Sequence, residues 1–309
     1  MIFKDNRVKW YIKKGIACVL IVLILAVVGY GIILVDFYSV EAFMVESEPS
    51  VDGQITIMSS NVRNHNWSDT GDTSWYVRAE LQLEQIAEVA PDIICFQEVK
   101  CTQEYYFNEN LQGYNSVITY RDSSITAESV PIYYRADKFN LVESGSFWFS
   151  ETPAVSSVSW GSSFPRICTY VVLEEKATGS VFAVFNSHLD HKSEEARLNS
   201  IQMIIEKIAE LGDIPAIFMG DLNGSETSSV YEAATNYFED AKYIATETMS
   251  SPSFNGFGTV EADDMEWLLD YCLLTESDFI ALSYSILNTT ANGIYRSDHY
   301  PLVCTLQFA

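Results

Sequence analysis

Two short segments of this chain place polar side chains after apolar runs that are typical of buried strands. Gly220-Asp221-Leu222-Asn223 comes directly after the run 214–219, and Ser297-Asp298-His299 comes after the run 280–287. Together they supply acids that hold a cation or orient water, an amide that donates to a phosphate oxygen, and an imidazole that carries protons. Each pattern alone is common, so the interpretation depends on further residues.

Other strand-like runs also end in polar side chains. In chain order these side chains are Asn61, Glu98, His188 and Asp270. A polar side chain at the end of a buried strand costs little free energy when water solvates it, and much more when it is buried without a hydrogen-bond partner. Several such ends that meet at one edge therefore predict a polar pocket.

The elements that must position these residues are mostly strands. Strand-like runs lie at 54–60, 92–97, 117–120, 131–134, 139–147, 166–173, 181–186, 214–219, 267–274, 280–287 and 301–307. Helical periodicity is confined to 76–89 and 193–211. Many strands with few helices predict an α/β protein in which two sheets pack face to face with helices outside.

The N-terminal region predicts a membrane anchor. Residues 15–35 form an uncharged run rich in Val, Ile and Leu, which at ~1.5 Å per residue is long enough to cross a bilayer core. Basic residues precede this run and acidic ones follow it, so we expect 1–14 to be a cytoplasmic tail and 36–53 an extracytoplasmic linker. The alternative is a cleaved signal peptide. Residues 54–309 then form one domain outside the cytoplasm, at the cell membrane.

Composition limits the partners and the cysteine chemistry. The chain has 18 Lys+Arg against 42 Asp+Glu, a formal net charge of −24. Proteins that hold long nucleic acids present a basic surface, so long duplex nucleic acid is not an expected partner. The six cysteines form no CxxC pair and no Cys/His cluster, which argues against zinc and a disulfide scaffold but leaves a single disulfide open.

The ordered motifs resemble the endonuclease/exonuclease/phosphatase superfamily, which has the deoxyribonuclease-I-like fold. The motifs are Ser-x-Asn-Val at Asn61, Gln97-Glu98, Asn186-Ser187-His188-Leu189, Gly220-Asp221-Leu222-Asn223, Leu269-Asp270-Tyr271 and Ser297-Asp298-His299-Tyr300-Pro301. The segments 146–153, 164–168 and 188–191 look like the bacterial branch related to the deadenylase-type members. The resemblance covers Ile55 to Phe308. It implies a four-layered α/β sandwich of two mixed sheets flanked by helices.

The resemblance also implies a magnesium or manganese ion. Glu98 would be its main ligand, with Asn61 and Asp298 nearby. Oxygen ligands suit magnesium, which keeps several waters and uses few carboxylates. This chain departs from many nuclease members at Arg63, where they carry an acid. The substitution removes one metal ligand and supplies a guanidinium that suits phosphate.

Catalytic roles are carried over from the same resemblance. Asp221 would orient or deprotonate the attacking water, and Asn223 would hold a phosphate oxygen. His299, oriented by Asp270, and His188 would flank the phosphorus and stabilise the developing charge or protonate the leaving oxygen.

Three further residues are candidates for substrate binding. Arg63 and Arg166 would bind phosphate, although surface ion pairs account for many such arginines. Phe254 lies in a Gly-containing loop, where it would either stack on a base or sugar ring or pack in the core.

The leading hypothesis is a membrane-anchored, metal-dependent hydrolase of phosphodiesters or phosphomonoesters, expected to be a monomer. The alternatives are a nuclease for short single strands and a lipid-headgroup phosphodiesterase. A catalytically silent binding module is the rival from another class.

Overall fold

The strand-like runs pair into two mixed β-sheets. The structure is a computed structural model that describes residues 51–212 and 214–309. With strands numbered along the chain, the first sheet has the order β10 (Glu247–Met249), β12 (Phe279–Ile286), β13 (Leu302–Phe308), β1 (Gln54–Asn61), β2 (Ile93–Gln97), β4 (Ile132–Arg135) and β3 (Tyr114–Val117). The second sheet has the order β5 (Phe139–Trp148), β6 (Ile167–Glu175), β7 (Val181–His188), β8 (Ala216–Asp221), β11 (Asp270–Thr275) and β9 (Phe238–Asp240).

Helices flank these sheets. In the described part of the chain they are α1 (Trp75–Val89), α2 (Cys101–Asn110), α3 (Glu194–Leu211), α4 (Ser229–Thr235) and α5 (Ala241–Ile244), with short 3-10 helices at Gly71–Thr73 and Met265–Trp267. Helix α3 buries Ile201, Ile204 and Ile208 along one stripe, as its periodicity predicts. The Ser193 hydroxyl accepts a hydrogen bond from the Ala196 N–H and caps its start.

One cluster of buried apolar side chains joins the two sheets. It includes Ile57 of β1 and Cys95 of β2 in the first sheet, and Val184 of β7 and Leu273 of β11 in the second. Each sheet thus covers the apolar face of the other. The predicted α/β fold of two packed mixed sheets flanked by helices is confirmed.

Two predicted strand positions were wrong, and several elements were missed. The strand expected at 117–120 lies at Tyr114–Val117, and the strand expected to begin at residue 267 begins at Asp270 because a 3-10 helix precedes it. Helices α2, α4 and α5 and the short strands β9 and β10 were not predicted. The residues of α2, Cys101–Asn110, are mainly polar and show no apolar stripe.

The predicted anchor at 15–35, the tail at 1–14 and most of the linker at 36–53 lie outside the described residues. Across 51–212 and 214–309, no helix has both the length and the apolar character needed to cross a bilayer. The anchor therefore stays a prediction, as does the domain start at residue 54. Cysteines 95, 168, 272 and 304 are buried and Cys101 is exposed, all five as free thiols.

Candidate active site

Strand register brings the predicted polar residues to one edge of the two sheets. The parallel pair β1 and β2 ends at Asn61, with Glu98 directly after β2. The parallel pair β7 and β8 ends with His188 opposite Asp221, and the antiparallel strand β11 starts with Asp270 opposite Asp221. Because the carboxyl ends of neighbouring parallel strands meet at the same edge, the site follows from topology.

Gly220 makes the close approach of β7 and β8 possible. Its φ is 145°, and a Cβ built on it would lie 2.1 Å from the Ser187 carbonyl oxygen. No side chain fits there, so glycine is required at this position. The residue that follows, Asp221, is thereby held beside His188 of the neighbouring strand.

Asp221 is the centre of the polar cluster. Its Oδ2 accepts a hydrogen bond from Asn61 Nδ2 at 3.2 Å and lies 3.5 Å from His188 Nε2 and 3.7 Å from His299 Nε2. Its Oδ1 accepts from the Asn223 N–H at 2.8 Å. One buried carboxylate thus faces the Nε2 atoms of two imidazoles.

His299 carries a positive charge at neutral pH. Burial alone lowers its pKa, but Asp270, whose Oδ2 lies 2.8 Å from His299 Nδ1, opposes this effect together with Asp221 and Asp298. The result raises the pKa of His299 to about 10. Asp270 Oδ1 is buried and has no hydrogen-bond partner, so the charge of the Asp270 carboxylate acts mainly through the histidine.

His188 has the opposite character. Burial, followed by the positive charge of Arg166, lowers the pKa of His188 to about 4, although Asp221 and Glu98 act against this change. At neutral pH the site therefore holds one charged and one neutral imidazole. Two titratable groups whose pKa values are pushed apart are typical of acid–base and charge-stabilising roles.

Glu98 is held as a carboxylate. It has a φ of 63°, and its Oε2 accepts from the N–H and from Nδ2 of Asn64 at 3.0 and 2.8 Å. Burial raises its pKa, but His188, the Asn64 bonds and His299 together lower the pKa to about 2. Asn61 Nδ2 donates to Oε1 at 3.3 Å. Asn64 was not among the predicted residues, although it lies in the same loop as Asn61.

Asp298 and Arg63 form an ion pair on the same side of the site. Arg63 Nη1 lies 3.4 Å from Asp298 Oδ2, while Asp69 accepts from Arg63 Nε and Nη2 at 3.0 and 3.2 Å. The Asp69 hydrogen bonds, above all, raise the pKa of Arg63. Burial raises the pKa of Asp298. Two carboxylates already engage the guanidinium that was predicted to bind phosphate.

Two groups of described side chains have ligand atoms for a cation. In the first, the ligand atoms of Asp221, Asp270 and His299 lie within 4.8 Å of one another. In this group Asp270 Oδ2 and His299 Nδ1 already contact each other at 2.8 Å, and a set that includes a histidine nitrogen suits magnesium less well than oxygen donors do. The second is the pair predicted from the sequence, Glu98 and Asp298, which both line the cleft described below and carry the oxygen donors that suit magnesium or manganese. Asn61 would join it only after its amide turned, because its Oδ1 accepts from the Arg63 N–H at 3.1 Å.

These side chains surround an open cleft of about 430 Å³. Of the predicted site residues, all line this cleft except Asn61 and Asp270, which lie behind Asp221 and His299 and hold them. The lining also includes residues that were not selected from the sequence: Arg121, Glu128, Phe164, His191, Trp267 and Leu269. Trp267 and Leu269 lie three residues and one residue before Asp270 in the chain, and this proximity was the available signal.

Arg166 and Phe254 both lie in the cleft wall. Arg166 is buried, its Nη2 lies 3.2 Å from His191 Nδ1, and its Nε lies 3.7 Å from Asp190 Oδ2 without a hydrogen bond. A buried guanidinium beside His188 adds positive charge that suits an anion. The Phe254 ring packs 5.1 Å from Trp267 and edge-on to His299 at 5.0 Å, so it supports the histidine as well as lining the cleft.

Two packed mixed sheets with this edge of acids, amides and histidines are the arrangement of a phosphoester hydrolase. The chain belongs to the Endonuclease/Exonuclease/phosphatase family, whose pattern matches residues 58–299. Members of this family are hydrolases of phosphate esters.

Solved structures and curated relatives agree with this membership. An endonuclease/exonuclease/phosphatase from Bacteroides vulgatus has a TM-score of 0.78 and 30% identity, covering 83% of this chain and 99% of that chain. The mannosyl-6-phosphatase Bt3783 of Bacteroides thetaiotaomicron has a TM-score of 0.75 and 31% identity, covering 82% and 99%. Human nocturnin is 23% identical over 265 residues, which cover 76% of this chain and 58% of nocturnin. The chain thus spans under two thirds of the length of this curated relative.

Proposed function

We propose that this protein is a divalent-metal-dependent hydrolase that removes phosphate from small phosphorylated molecules. The observation that carries the proposal is the position of Asp221, whose Oδ2 faces both imidazoles at 3.5 and 3.7 Å beside the Glu98 carboxylate. Phosphoester hydrolysis needs a carboxylate that orients water, a fixed positive charge and carboxylate ligands for a metal ion. This cleft contains all three.

Each residue has a distinct task. Asp221 orients the attacking water and accepts its proton. The charged His299, fixed by Asp270, stabilises the negative charge that grows on the phosphate oxygens or protonates the leaving oxygen. Asn223 donates one N–H of its amide to Leu189 O at 3.0 Å, which leaves the second for a phosphate oxygen. The Arg166 guanidinium lines the same cleft and adds positive charge for the phosphate.

A magnesium or manganese ion would be held by Glu98 and Asp298. When bound, it supplies positive charge to the phosphate and lowers the pKa of a coordinated water. Arg63 neutralises part of the charge on Asp298 at 3.4 Å, which favours a single ion over two. Glu98 stays ionised because its pKa is held at about 2.

The substrate class follows from cleft size, charge and similarity. A cleft of about 430 Å³ suits a compact molecule, and the net charge of −24 disfavours long nucleic acid. A similar structure is a mannosyl-6-phosphatase, so a sugar phosphomonoester is the favoured substrate. A short nucleotide is the second candidate, because Trp267 is 41% exposed beside Phe254 and can stack on a base.

A substrate panel tests this proposal. Full-length protein in mild detergent is assayed with sugar phosphates, nucleotides, an oligonucleotide, phospholipid vesicles and an aryl phosphodiester, with EDTA or with added magnesium or manganese. We expect phosphate release from a sugar phosphate that EDTA abolishes and metal restores. Hydrolysis of the oligonucleotide or of the phospholipid instead would replace the favoured substrate. Absence of hydrolysis across the panel, with each metal, would favour a silent binding module.

We also propose that residues 15–35 anchor the chain and place the catalytic domain outside the cytoplasm. The support is the uncharged run itself, with Lys4, Arg7, Lys9, Lys13 and Lys14 before it. Protease added to intact cells should digest the domain. Protection until lysis would reverse this topology, and a soluble form that starts near residues 36–50 would indicate cleavage.

A further inference from the structure

Arg78 is an arginine without exposed surface, and it lies on helix α1 beside the active site. Its side chain is 0% exposed. All four of its hydrogen bonds go to main-chain carbonyl oxygens: Nε to Thr73 at 2.8 Å, Nη1 to Val62 at 2.8 Å and to Arg296 at 3.0 Å, and Nη2 to Arg63 at 3.2 Å. A buried cation is costly unless its donors are satisfied, and here backbone oxygens satisfy them.

The carbonyls that Arg78 binds belong to two separate segments. Val62 and Arg63 continue from the end of β1, and Arg296 directly precedes Ser297-Asp298-His299. The single Nη1 nitrogen of Arg78 donates to both segments. Val62 lies 16 residues before Arg78 in the chain, and Arg296 lies 218 residues after it. One guanidinium thus connects the start and the end of the domain.

Gln82, one helical turn further along α1, repeats the same connection. Its Nε2 donates to Val62 O at 3.1 Å and to Arg296 O at 2.6 Å. Arg296 returns the contact, since its Nε donates to Leu81 O at 3.0 Å. Residues four apart lie on one face of a helix, so Arg78 and Gln82 form a two-residue clamp on both segments.

Each clamped segment carries part of the proposed site. The segment 61–64 provides Asn61, which donates to Glu98 and Asp221. The segment 296–299 provides Asp298 and His299. The Ser297 hydroxyl donates to Asn61 O at 2.6 Å, so the two segments also touch directly. A shift of either segment would change the distance between the cation ligands and the charged imidazole.

We propose that Arg78, assisted by Gln82, is a positioning residue of the active site that fixes segment 61–64 relative to segment 296–299. Arg78 touches neither substrate nor cation. Its planar fork of donors spans carbonyls that a single ammonium group cannot span. The effect on turnover rests on the proposed function, whereas the effect on the two segments does not.

Arg78→Lys in the full-length protein tests the proposal, because it keeps the charge and removes the fork. Misplaced reacting groups lower kcat, so we expect a loss of at least ~10-fold, with KM within ~3-fold of wild type. Hydrogen–deuterium exchange should become faster in both 61–64 and 296–299. Gln82→Leu, which removes the same two bonds at similar volume, should show a smaller change of the same kind.

Arg135→Lys is the matched control. Arg135 is also buried, but it lies at the other end of the first sheet, where it pairs with Asp137 at 2.7 Å. It should lower the melting temperature while kcat and exchange in both segments stay at wild-type values. Wild-type kcat and exchange in Arg78→Lys, or changes no larger than those of the control, would overturn the proposal.

Two outcomes need separate treatment. If Arg78→Lys fails to unfold cooperatively, Gln82→Leu decides, and unchanged exchange in both segments would reject the clamp. If the wild-type protein hydrolyses no phosphate ester, the proposed function is wrong, and hydrogen–deuterium exchange alone decides the positioning role.

Discussion

Asp270 and His299 form a buried pair, with Oδ2 of the acid 2.8 Å from Nδ1 of the imidazole. Asp270 begins strand β11 and His299 precedes β13, so the bond joins one strand from each sheet. It fixes the ring so that the opposite nitrogen, Nε2, faces Asp221 at 3.7 Å. The bond therefore sets both the orientation and the charge of the histidine.

The first prediction concerns this pair. His299→Ala should lower kcat by at least ~10²-fold, the scale of a positioned acid–base or charge-stabilising group. Asp270→Asn should be milder, because the imidazole stays in place but loses the neighbouring charge. Since the acid acts through the histidine, the double variant should be little worse than His299→Ala.

Single-turnover and steady-state rates of the three variants decide this prediction. Asp240→Asn is the control, because Asp240 is also a buried acid but pairs with the Tyr231 hydroxyl at 2.9 Å, away from the cleft. Fully multiplicative losses would show that the two residues act independently. Near-wild-type turnover in His299→Ala would remove the histidine from the mechanism.

The second prediction concerns the cation. Glu98→Gln removes the charge while keeping the Asn64 hydrogen bonds at 3.0 and 2.8 Å possible through its oxygen. We expect weaker binding of manganese in a titration, and lower activity that high magnesium partly restores. The melting temperature without metal should fall, because the fold stabilises the Glu98 carboxylate and the new amide faces Asn61 Nδ2, so activity is compared at temperatures where both proteins are folded. Unaltered activity at limiting metal would contradict the assignment of Glu98.

Strand ends account for what was predictable in this site. Glu98, His188 and Asp221 each follow an apolar run, and parallel pairing brings their carboxyl ends to one edge. Local pattern therefore fixes the strands, while the ordered motifs indicate which strands are neighbours. Asp270 comes to the same edge through a different pairing, because the antiparallel strand β11 starts there, opposite Asp221.

Contacts between loops were not predictable. Arg63 was predicted to bind phosphate, and in the structure its guanidinium contacts the carboxylates of Asp69 and Asp298. The backbone of Arg63 is in the left-handed conformation (φ 53°). The direction of its side chain therefore depends on the path of the loop. No sequence pattern distinguishes Arg78 from the other polar residues of the helix predicted at 76–89. The positioning role proposed for it depends on the Arg296 carbonyl, 218 residues away, and no local pattern contains that distance.

The third prediction concerns pH. The pKa of His188 is about 4 in the folded protein against 6.5 for a free histidine. Between pH 4 and 6.5 the unfolded chain binds a proton that the folded protein does not. The free energy of unfolding therefore reaches its full value above pH 6.5 and decreases as the pH falls towards 4. His188→Gln should flatten the free energy of unfolding over this range in urea titrations.

His299 should act in the opposite direction. Its pKa is about 10 in the folded protein, so the stability that its proton contributes is complete below pH 6.5 and is lost as the pH rises towards 10. His299→Gln should flatten that alkaline range, and it should change the acid range less, through the charge that His299 places on His188 and Glu98. Equal pH profiles for both variants would show that the two imidazoles do not differ in charge.

The last prediction concerns Gly220 and the spacing of β7 and β8. In Gly220→Ala the added Cβ would lie 2.1 Å from Ser187 O, and this contact involves backbone, which cannot turn away. The strands must separate, so we expect a loss of at least about 2 kcal/mol in the free energy of unfolding. Because Asp221 is the next residue and His188 follows Ser187, the separation also moves the carboxylate away from the imidazole, and kcat should fall.

Gly179→Ala is the matched control, since its φ is 76° but a Cβ meets nothing within 4 Å. Backbone strain in this variant should lower the free energy of unfolding by about 1 kcal/mol, and kcat should not change. Chemical unfolding and kcat measured for both variants separate the two effects, and wild-type kcat in Gly220→Ala would show that Asp221 does not depend on this strand spacing.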